Sequence, residues 1–179
     1  MNCETKQFAN ALLLPEIVKM LNEGHTVTLR LRGYSMRPFL EDNRDKALLT
    51  RPTHPKVGDP VLAEIQPGHF VLHRIVAIEG ENVTLRGDGN LADEHCLLSD
   101  VKGAVIGFYR KGRQQLDRTD GLKWRIYSWF WMNLYPIRRY LLAFRKHPAE
   151  QVVVEEGIIE TAPNERSFWY RELTKDFYL

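Results

Sequence analysis

The feature that most constrains the fold of this chain is an alternation of apolar and polar residues that recurs between positions 26 and 110. Its clearest instance is the segment 26–32, in which Val27, Leu29 and Leu31 share one face. Because successive side chains of a strand point to opposite faces, this period of two predicts strands with one buried face. Further strands are predicted at 46–50, 60–65, 70–78, 82–86 and 103–110.

The breaks between these segments are rich in residues that favour turns. They include Gly-Asp at 58–59, Gly-Glu-Asn at 80–82 and Gly-Asp-Gly-Asn at 87–90. Short strands joined by tight turns predict a mainly β fold of the α+β class. We expect a twisted antiparallel sheet or a partial barrel.

Helical patterns flank the β region on both sides. Within 5–23, Ile17 and Leu21 recur at helical spacing, and Gly24 stands where a helix C-cap is expected. Within 120–146 a second helical pattern is interrupted by Pro136. We therefore expect an N-terminal helix and a C-terminal helical segment around the sheet.

Charge divides the chain into three parts, although the net charge is only +2. Residues 1–109 carry 12 basic and 14 acidic residues, residues 110–147 carry 10 and 2, and residues 148–179 carry 3 and 7. The three net charges are therefore −2, +8 and −4. This division predicts a β domain with its N-terminal helix at 1–112, a basic aromatic helical segment at 113–147 and an acidic tail at 148–179.

The composition excludes several classes of protein. Cys3 and Cys96 are too few for a disulfide scaffold. The six histidines lie outside any C-x-x-C or H-E-x-x-H pattern, so we predict no metal and no cofactor. No basic stretch precedes an N-terminal apolar run, and no run approaches the roughly 20 apolar residues of a membrane span. These observations predict a cytoplasmic protein.

A serine just after the first predicted strand has the setting of a nucleophile. The segment 33–38 reads Gly-Tyr-Ser-Met-Arg-Pro and places Ser35 at a junction of strand and turn. There the hydroxyl projects from a rigid element, and the backbone N–H can face a substrate oxyanion. The alternative is a surface turn with an incidental serine, since glycine, serine and proline are common in turns.

A histidine in a later strand is a candidate base. Within 70–76, period two places His73 on one face with Val71 and Ile75, and Arg74 on the other face. A neutral imidazole on a half-buried strand is suited to general-base catalysis. The alternative is a hydrogen-bonded histidine of the core.

A third polar segment, 86–94, follows the histidine strand and contains Asp88, Asp93 and Glu94. Its Gly-Asp-Gly-Asn sequence alone is typical of a turn. Its acids are also able to orient the second ring nitrogen of His73. Each signal is weak alone, but their order favours an arrangement of nucleophile, base and acid.

These segments, in this order, resemble the type I signal peptidase superfamily, which includes the self-cleaving proteases of the SOS-repressor type. Ser-Met-Arg-Pro at 35–38 matches the Ser-Met-x-Pro nucleophile box, and Gly-Asp at 58–59 matches a Gly-Asp that precedes a strand. His-Arg at 73–74 and the turn at 87–90 are similar to the archaeal and endoplasmic-reticulum branch, in which histidine replaces the bacterial lysine. The match covers about residues 27–112.

The resemblance implies a role for each residue of the site. Ser35 would be the nucleophile and His73 the general base, and the Ser35 N–H would form part of the oxyanion hole. Asp88 or Asp93 would orient His73, with Glu94 as a lesser candidate. The implied fold is the antiparallel sheet or partial barrel of signal peptidases.

The resemblance also predicts contacts to substrate from Gly33, Met36 and Pro38. The chain departs from the family at four points. Gly33 stands where signal peptidases often have a hydroxyl residue, and Gly89 replaces an asparagine. The usual Gly-Asp just after the nucleophile box appears as Glu-Asp-Asn-Arg-Asp at 41–45, and the N-terminal membrane anchor is missing. The missing anchor favours cytoplasmic maturation of a precursor peptide over a role in secretion.

The implied function is a serine endopeptidase that cleaves a leader or precursor peptide through an acyl-enzyme. The alternative is a non-catalytic or regulatory relative that binds peptides or a membrane surface. A self-cleaving repressor is disfavoured because only about 25 residues precede the first predicted strand, too few for a DNA-binding domain. Such repressors also use a lysine base.

The segment 110–147 combines ten basic residues with eight aromatic ones. Three interpretations stay open for 120–146: peripheral contact with the inner membrane surface, nucleic-acid binding, or a helical hairpin packed on the sheet with a solvated basic face. Nucleic acid ranks lowest because no nucleic-acid-binding fold accompanies the segment. The aromatic residues are Trp124, Tyr127, Trp129, Phe130, Trp131, Tyr135, Tyr140 and Phe144.

Overall fold

One antiparallel sheet dominates the part of the chain that the computed structural model describes, residues 10–143. The sheet has eight strands and is not closed, which confirms the prediction of a mainly β, antiparallel fold. The predicted acidic tail at 148–179, and the predicted helical residues 5–9 and 144–146, lie outside the described residues. The strands are β1 (Val27–Arg30), β2 (Lys46–Thr50), β3 (Pro60–Gln66), β4 (His69–Glu79), β5 (Asn82–Arg86), β6 (Glu94–Leu97), β7 (Val101–Tyr109) and β8 (Leu116–Arg118).

The order of strands across the sheet is β1-β2-β7-β3-β4-β5-β6. The short strand β8 pairs with the last residues of β7. It lies on the same side of β7 as β3, which pairs with the first residues of β7. Strands β3, β4, β5 and β6 form a meander, because tight turns at Gly68 and Gly80 reverse the chain with positive φ angles of 75° and 60°.

Strand β4 is buried on both faces, whereas its sequence predicted a strand with one buried face. Leu72 on one side packs in a core with helix α1 (Asn10–Asn22). Val71 and Ile75 on the other side pack in a second core with Val83. Both His73 and Arg74, which point to opposite faces, are therefore removed from water.

The basic aromatic segment forms two helices, α2 (Leu122–Asn133) and α3 (Tyr135–Ala143). Pro136 does not break a long helix but lies in the first turn of α3, where a missing N–H costs nothing. The inner face of α2 joins the core, because Trp124 packs edge-on against Phe39 at a ring distance of 4.5 Å. Within residues 10–143, no helix is long and apolar enough to cross a bilayer.

Candidate active site

Ser35 and His73 meet in the interior of the sheet domain. The Ser35 Oγ lies 2.8 Å from the His73 Nε2, and both side chains are buried. Ser35 is held in a tight turn after β1, in which the Arg37 N–H donates to the Tyr34 carbonyl at 3.0 Å. His73 stands in the middle of β4, where it pairs with Val61 of β3. Residues 38 positions apart are thus brought into direct hydrogen-bond contact.

The other ring nitrogen of His73 contacts Glu94. The His73 Nδ1 lies 2.6 Å from the Glu94 Oε2. An ionised carboxylate only accepts hydrogen bonds, so this contact places the ring proton on Nδ1. The Nε2 lone pair then faces the Ser35 hydroxyl. A continuous chain of hydrogen bonds runs from nucleophile to base to acid, which is the arrangement that general-base activation of a serine requires.

The carboxylate on His73 is therefore Glu94, and the prediction of Asp88 or Asp93 is corrected. Strand β6 begins at Glu94, which lies opposite Leu85 in β5. Asp93 precedes the strand and binds Arg86, with 2.6 Å between Oδ2 and Nη2. Asp88 binds Arg74, the next residue of β4. Strand β6, with the sequence Glu-His-Cys-Leu, was not predicted.

Asp88 forms an ion pair with Arg74, on the face of β4 opposite to His73. Arg74 donates from Nε and Nη2 to the two carboxylate oxygens, at 2.9 and 2.7 Å. Each side chain is only 1% exposed. Burial alone would lower the pKa of Arg74, but the Asp88 carboxylate raises it above the ordinary value of an arginine. The pair is therefore charged, buried and well bonded.

The remaining Arg74 nitrogen ties α2 and the Gly-Asp segment to the site. Its Nη1 donates to the Ser128 Oγ at 2.6 Å and to the Gly58 carbonyl at 2.9 Å. The guanidinium also lies over the Trp124 ring, 4.7 Å from its centre. Gly58 has a positive φ of 98°, which favours glycine at that position.

The α2 and α3 helices also hold the turn at 87–91. The Trp131 Nε1 donates to the Asp88 carbonyl at 3.0 Å, and the Tyr135 hydroxyl donates to the Leu91 carbonyl at 3.1 Å. The Tyr127 hydroxyl lies 3.4 Å from the Asp88 carboxylate, and burial raises the pKa of this phenol, with a further contribution from Asp88. The helical segment thus buttresses one wall of the site.

Two glycines of the same turn pack directly on the nucleophile segment. The Gly89 N–H donates to the Ser35 carbonyl at 2.6 Å. A Cβ at Gly87 would lie 2.5 Å from the Ser35 carbonyl oxygen and 3.1 Å from the His73 Nε2. A Cβ at Gly89 would lie 2.8 Å from the Tyr34 carbonyl oxygen. Close packing against the backbone at 34–37 therefore favours glycine at position 89.

The three residues predicted to contact substrate have different environments. Met36 is buried in the core, and a contact of its side chain with substrate stays a prediction. The Gly33 N–H is engaged by the Asp42 Oδ1 at 2.7 Å, and Gly33 has a positive φ of 96°. Pro38 is exposed and follows a cis peptide bond. A role for Pro38 with substrate stays a prediction.

Within residues 10–143, no three side chains of His, Cys, Asp or Glu are grouped in a way that could hold a metal ion. Comparisons with protein-family models, with curated proteins and with solved structures find no match for this chain. The resemblance to signal peptidases therefore depends on the motif residues and their order.

Proposed function

We propose that this protein is a serine endopeptidase that resembles type I signal peptidases and uses Ser35, His73 and Glu94. The observation that carries the proposal is the hydrogen-bond chain through these three residues, with links of 2.8 and 2.6 Å. A hydrogen-bonded core histidine would need neither a serine nor a carboxylate in this order. The three residues come from three separate segments and are joined by consecutive hydrogen bonds, which favours a catalytic role.

In this proposal, acylation begins when the Ser35 Oγ attacks the carbonyl carbon of the scissile peptide bond. The His73 Nε2 accepts the hydroxyl proton as the new C–O bond forms, which gives an imidazolium and an oxyanion. The tetrahedral intermediate collapses as the C–N bond breaks, and His73 returns its proton to the leaving amine. The product of this half of the reaction is an ester on Ser35.

Deacylation repeats the same proton transfers with water. His73 accepts a proton from a water molecule that attacks the ester, and the proton returns to the Ser35 oxygen as the acid product leaves. Glu94 holds the ring in the tautomer with an Nδ1 proton and offsets the charge of the imidazolium. The Ser35 backbone N–H is the proposed donor to the oxyanion.

The resemblance extends the proposal to the class of substrate. Signal peptidases cut leader peptides from precursors, and we propose a leader or precursor peptide for this chain as well. The family branch with a histidine base is the one that the site is most similar to, since His73 takes the position of the bacterial lysine. The antiparallel sheet is compatible with the fold of that family.

The test is cleavage of a diverse peptide library, read by mass spectrometry, with four forms of the protein. We expect wild type and Ser99→Ala to cleave at the same sites, because Ser99 is exposed and lies outside the site. Ser35→Ala and His73→Ala should lose cleavage. A fluorophosphonate probe should label Ser35 in wild type and in Ser99→Ala, and should label neither Ser35→Ala nor His73→Ala. Unchanged cleavage by Ser35→Ala would exclude the proposed nucleophile.

A further inference from the structure

The outer face of α2 carries a stripe of large apolar side chains that the sheet does not cover. The stripe consists of Leu122, Ile126, Trp129 and Phe130, with exposed fractions of 72%, 57%, 65% and 56%. At 100° per residue these four positions fall within about 100° of one another around the helix. They form one continuous surface, which we call the α2 stripe.

The α2 stripe does not belong to the core of the domain. The opposite face of the helix already supplies the packing residues, since Trp124 and Ser128 are buried against the sheet. Trp131 reaches the Asp88 carbonyl from that same inner face. The helix is thus apolar on both sides, and only one side is covered in the described part of the chain. Exposed apolar patches of this kind mark interaction surfaces.

The charge around the α2 stripe is mainly positive. Between positions 121 and 149 the sequence contains six basic residues and no acidic residue. Lys123 and Arg125 lie on the two sides of the stripe, because helical geometry places each of them next to its apolar residues. Lys123 also lines a pocket with Arg110, Lys111 and Arg113, where its Nζ donates to the Oδ1 of Asp117, the single acid of the pocket, at 2.8 Å.

Helix α3 also exposes large apolar side chains. Ile137 and Tyr140 are exposed by 49% and 56%. The apolar surface on the two helices therefore includes aliphatic, tryptophan and tyrosine side chains. Tryptophan and tyrosine are typical of the interface between lipid headgroups and acyl chains.

We propose that the α2 stripe docks on the surface of an anionic phospholipid bilayer. Leu122, Ile126, Trp129 and Phe130 would enter the boundary between headgroups and acyl chains, with the helix parallel to the membrane plane. Lys123 and Arg125 would lie at the level of the lipid phosphates. An anionic membrane fits better than nucleic acid, because the centre of the surface is aliphatic and aromatic while the basic residues lie at its edges.

This docking is independent of the proposed peptidase activity, and its test does not use that activity. Full-length protein would be sedimented with vesicles of phosphatidylglycerol and phosphatidylcholine, and with vesicles of phosphatidylcholine alone. We expect binding to the anionic vesicles that weakens in high salt, and much weaker binding to the neutral ones. Absence of binding to anionic vesicles at low salt would overturn the proposal.

A double variant of the stripe and a matched control identify the surface. Trp129→Ser with Phe130→Ser should weaken binding to anionic vesicles at least about tenfold, because two large apolar groups no longer leave water. Val57→Ser with Leu97→Ser removes two residues that are exposed by 51% and 49% elsewhere, and it should bind as wild type does. Equal binding by the two double variants would overturn the assignment to α2.

A charge variant keeps the test decisive if the serine variant does not fold, as judged by circular dichroism. Arg125→Glu should weaken binding to anionic vesicles about tenfold and leave binding to neutral vesicles unchanged. Wild-type affinity in Arg125→Glu would contradict the proposal. If wild type does not bind vesicles but forms a concentration-dependent dimer, and the serine variant is monomeric, the stripe would instead be assigned to self-association.

Discussion

Arg74 holds Asp88 through two parallel hydrogen bonds of 2.9 and 2.7 Å, in a site where each side chain is 1% exposed. The preceding residue of β4, His73, points to the other face and contacts Ser35. Asp88 belongs to the turn that packs on Ser35, through the bond from the Gly89 N–H to the Ser35 carbonyl. Strand β4 therefore supplies His73, the candidate base, on one face. On its other face it supplies Arg74, which binds the turn that contains Asp88.

The ion pair makes a prediction about stability. Asp88→Ala leaves the Arg74 guanidinium charged and buried without its carboxylate, and we expect a loss of about 3–5 kcal/mol in the free energy of unfolding. Asp93→Ala breaks an exposed pair with Arg86 and should cost less than about 1 kcal/mol. Urea unfolding of both variants measures the difference. Similar losses in the two variants would contradict the structural role of Asp88.

Glu94 makes a prediction about catalysis that depends on the proposed function. Glu94→Gln removes the charge beside His73 and allows an amide to donate to Nδ1, which would place the ring proton on Nε2 and remove the base. We expect kcat on a cleaved peptide to fall by about 10²- to 10⁴-fold with little change in KM. Asp93→Asn, one residue away, should keep wild-type kcat. The opposite ranking of these variants would restore Asp93 as the acid.

The glycines at 87 and 89 make a prediction about packing. Gly87→Ala and Gly89→Ala would each place a methyl group within 2.5–2.8 Å of a backbone oxygen, and we expect each to cost about 1–3 kcal/mol. Gly121→Ala is the matched control, because its nearest neighbour is 3.4 Å away and its φ is −70°. Thermal or urea unfolding compares the three. Stability losses as small as that of the control would show that the turn can relax.

Much of the fold could be predicted because its causes are local. Period two and the turn residues place β2 and β5 at the bounds that the structure has, 46–50 and 82–86. The same pattern put His73 and Arg74 on opposite faces, as observed. The predicted contact between Ser35 and His73 came from the order of motifs, and the structure brings the two residues together.

The identity of the acid could not be predicted, because it depends on pairing between distant segments. Whether Asp93 or Glu94 reaches His73 is decided by the register of β6 on β5, and a shift of one residue reverses the two faces. Asp88 was misassigned for a related reason. Its partner Arg74 is buried because α2 covers that face of β4, and the sequence of β4 contains no sign of that helix.

Asp59 makes a prediction about pH. Burial raises the pKa of its carboxyl above the ordinary value of 3.8, although the Lys56 N–H donates to it and the Lys56 and Arg74 charges oppose the shift. The folded state therefore binds this proton more tightly than the unfolded state does. The contribution of this carboxyl to the free energy of unfolding is fully present below pH 3.8. It is lost as the pH rises through the raised pKa of the folded state.

Asp59→Asn should consequently be more stable than wild type at neutral pH, since the amide oxygen can still accept from the Lys56 N–H and carries no charge. We expect a gain below about 1 kcal/mol, because the partial exposure of Asp59 screens its charge. The gain should vanish in urea unfolding at pH values below 3.8, where both side chains are neutral. A gain that persists unchanged in acid would mean that packing, and not ionisation, separates the two proteins.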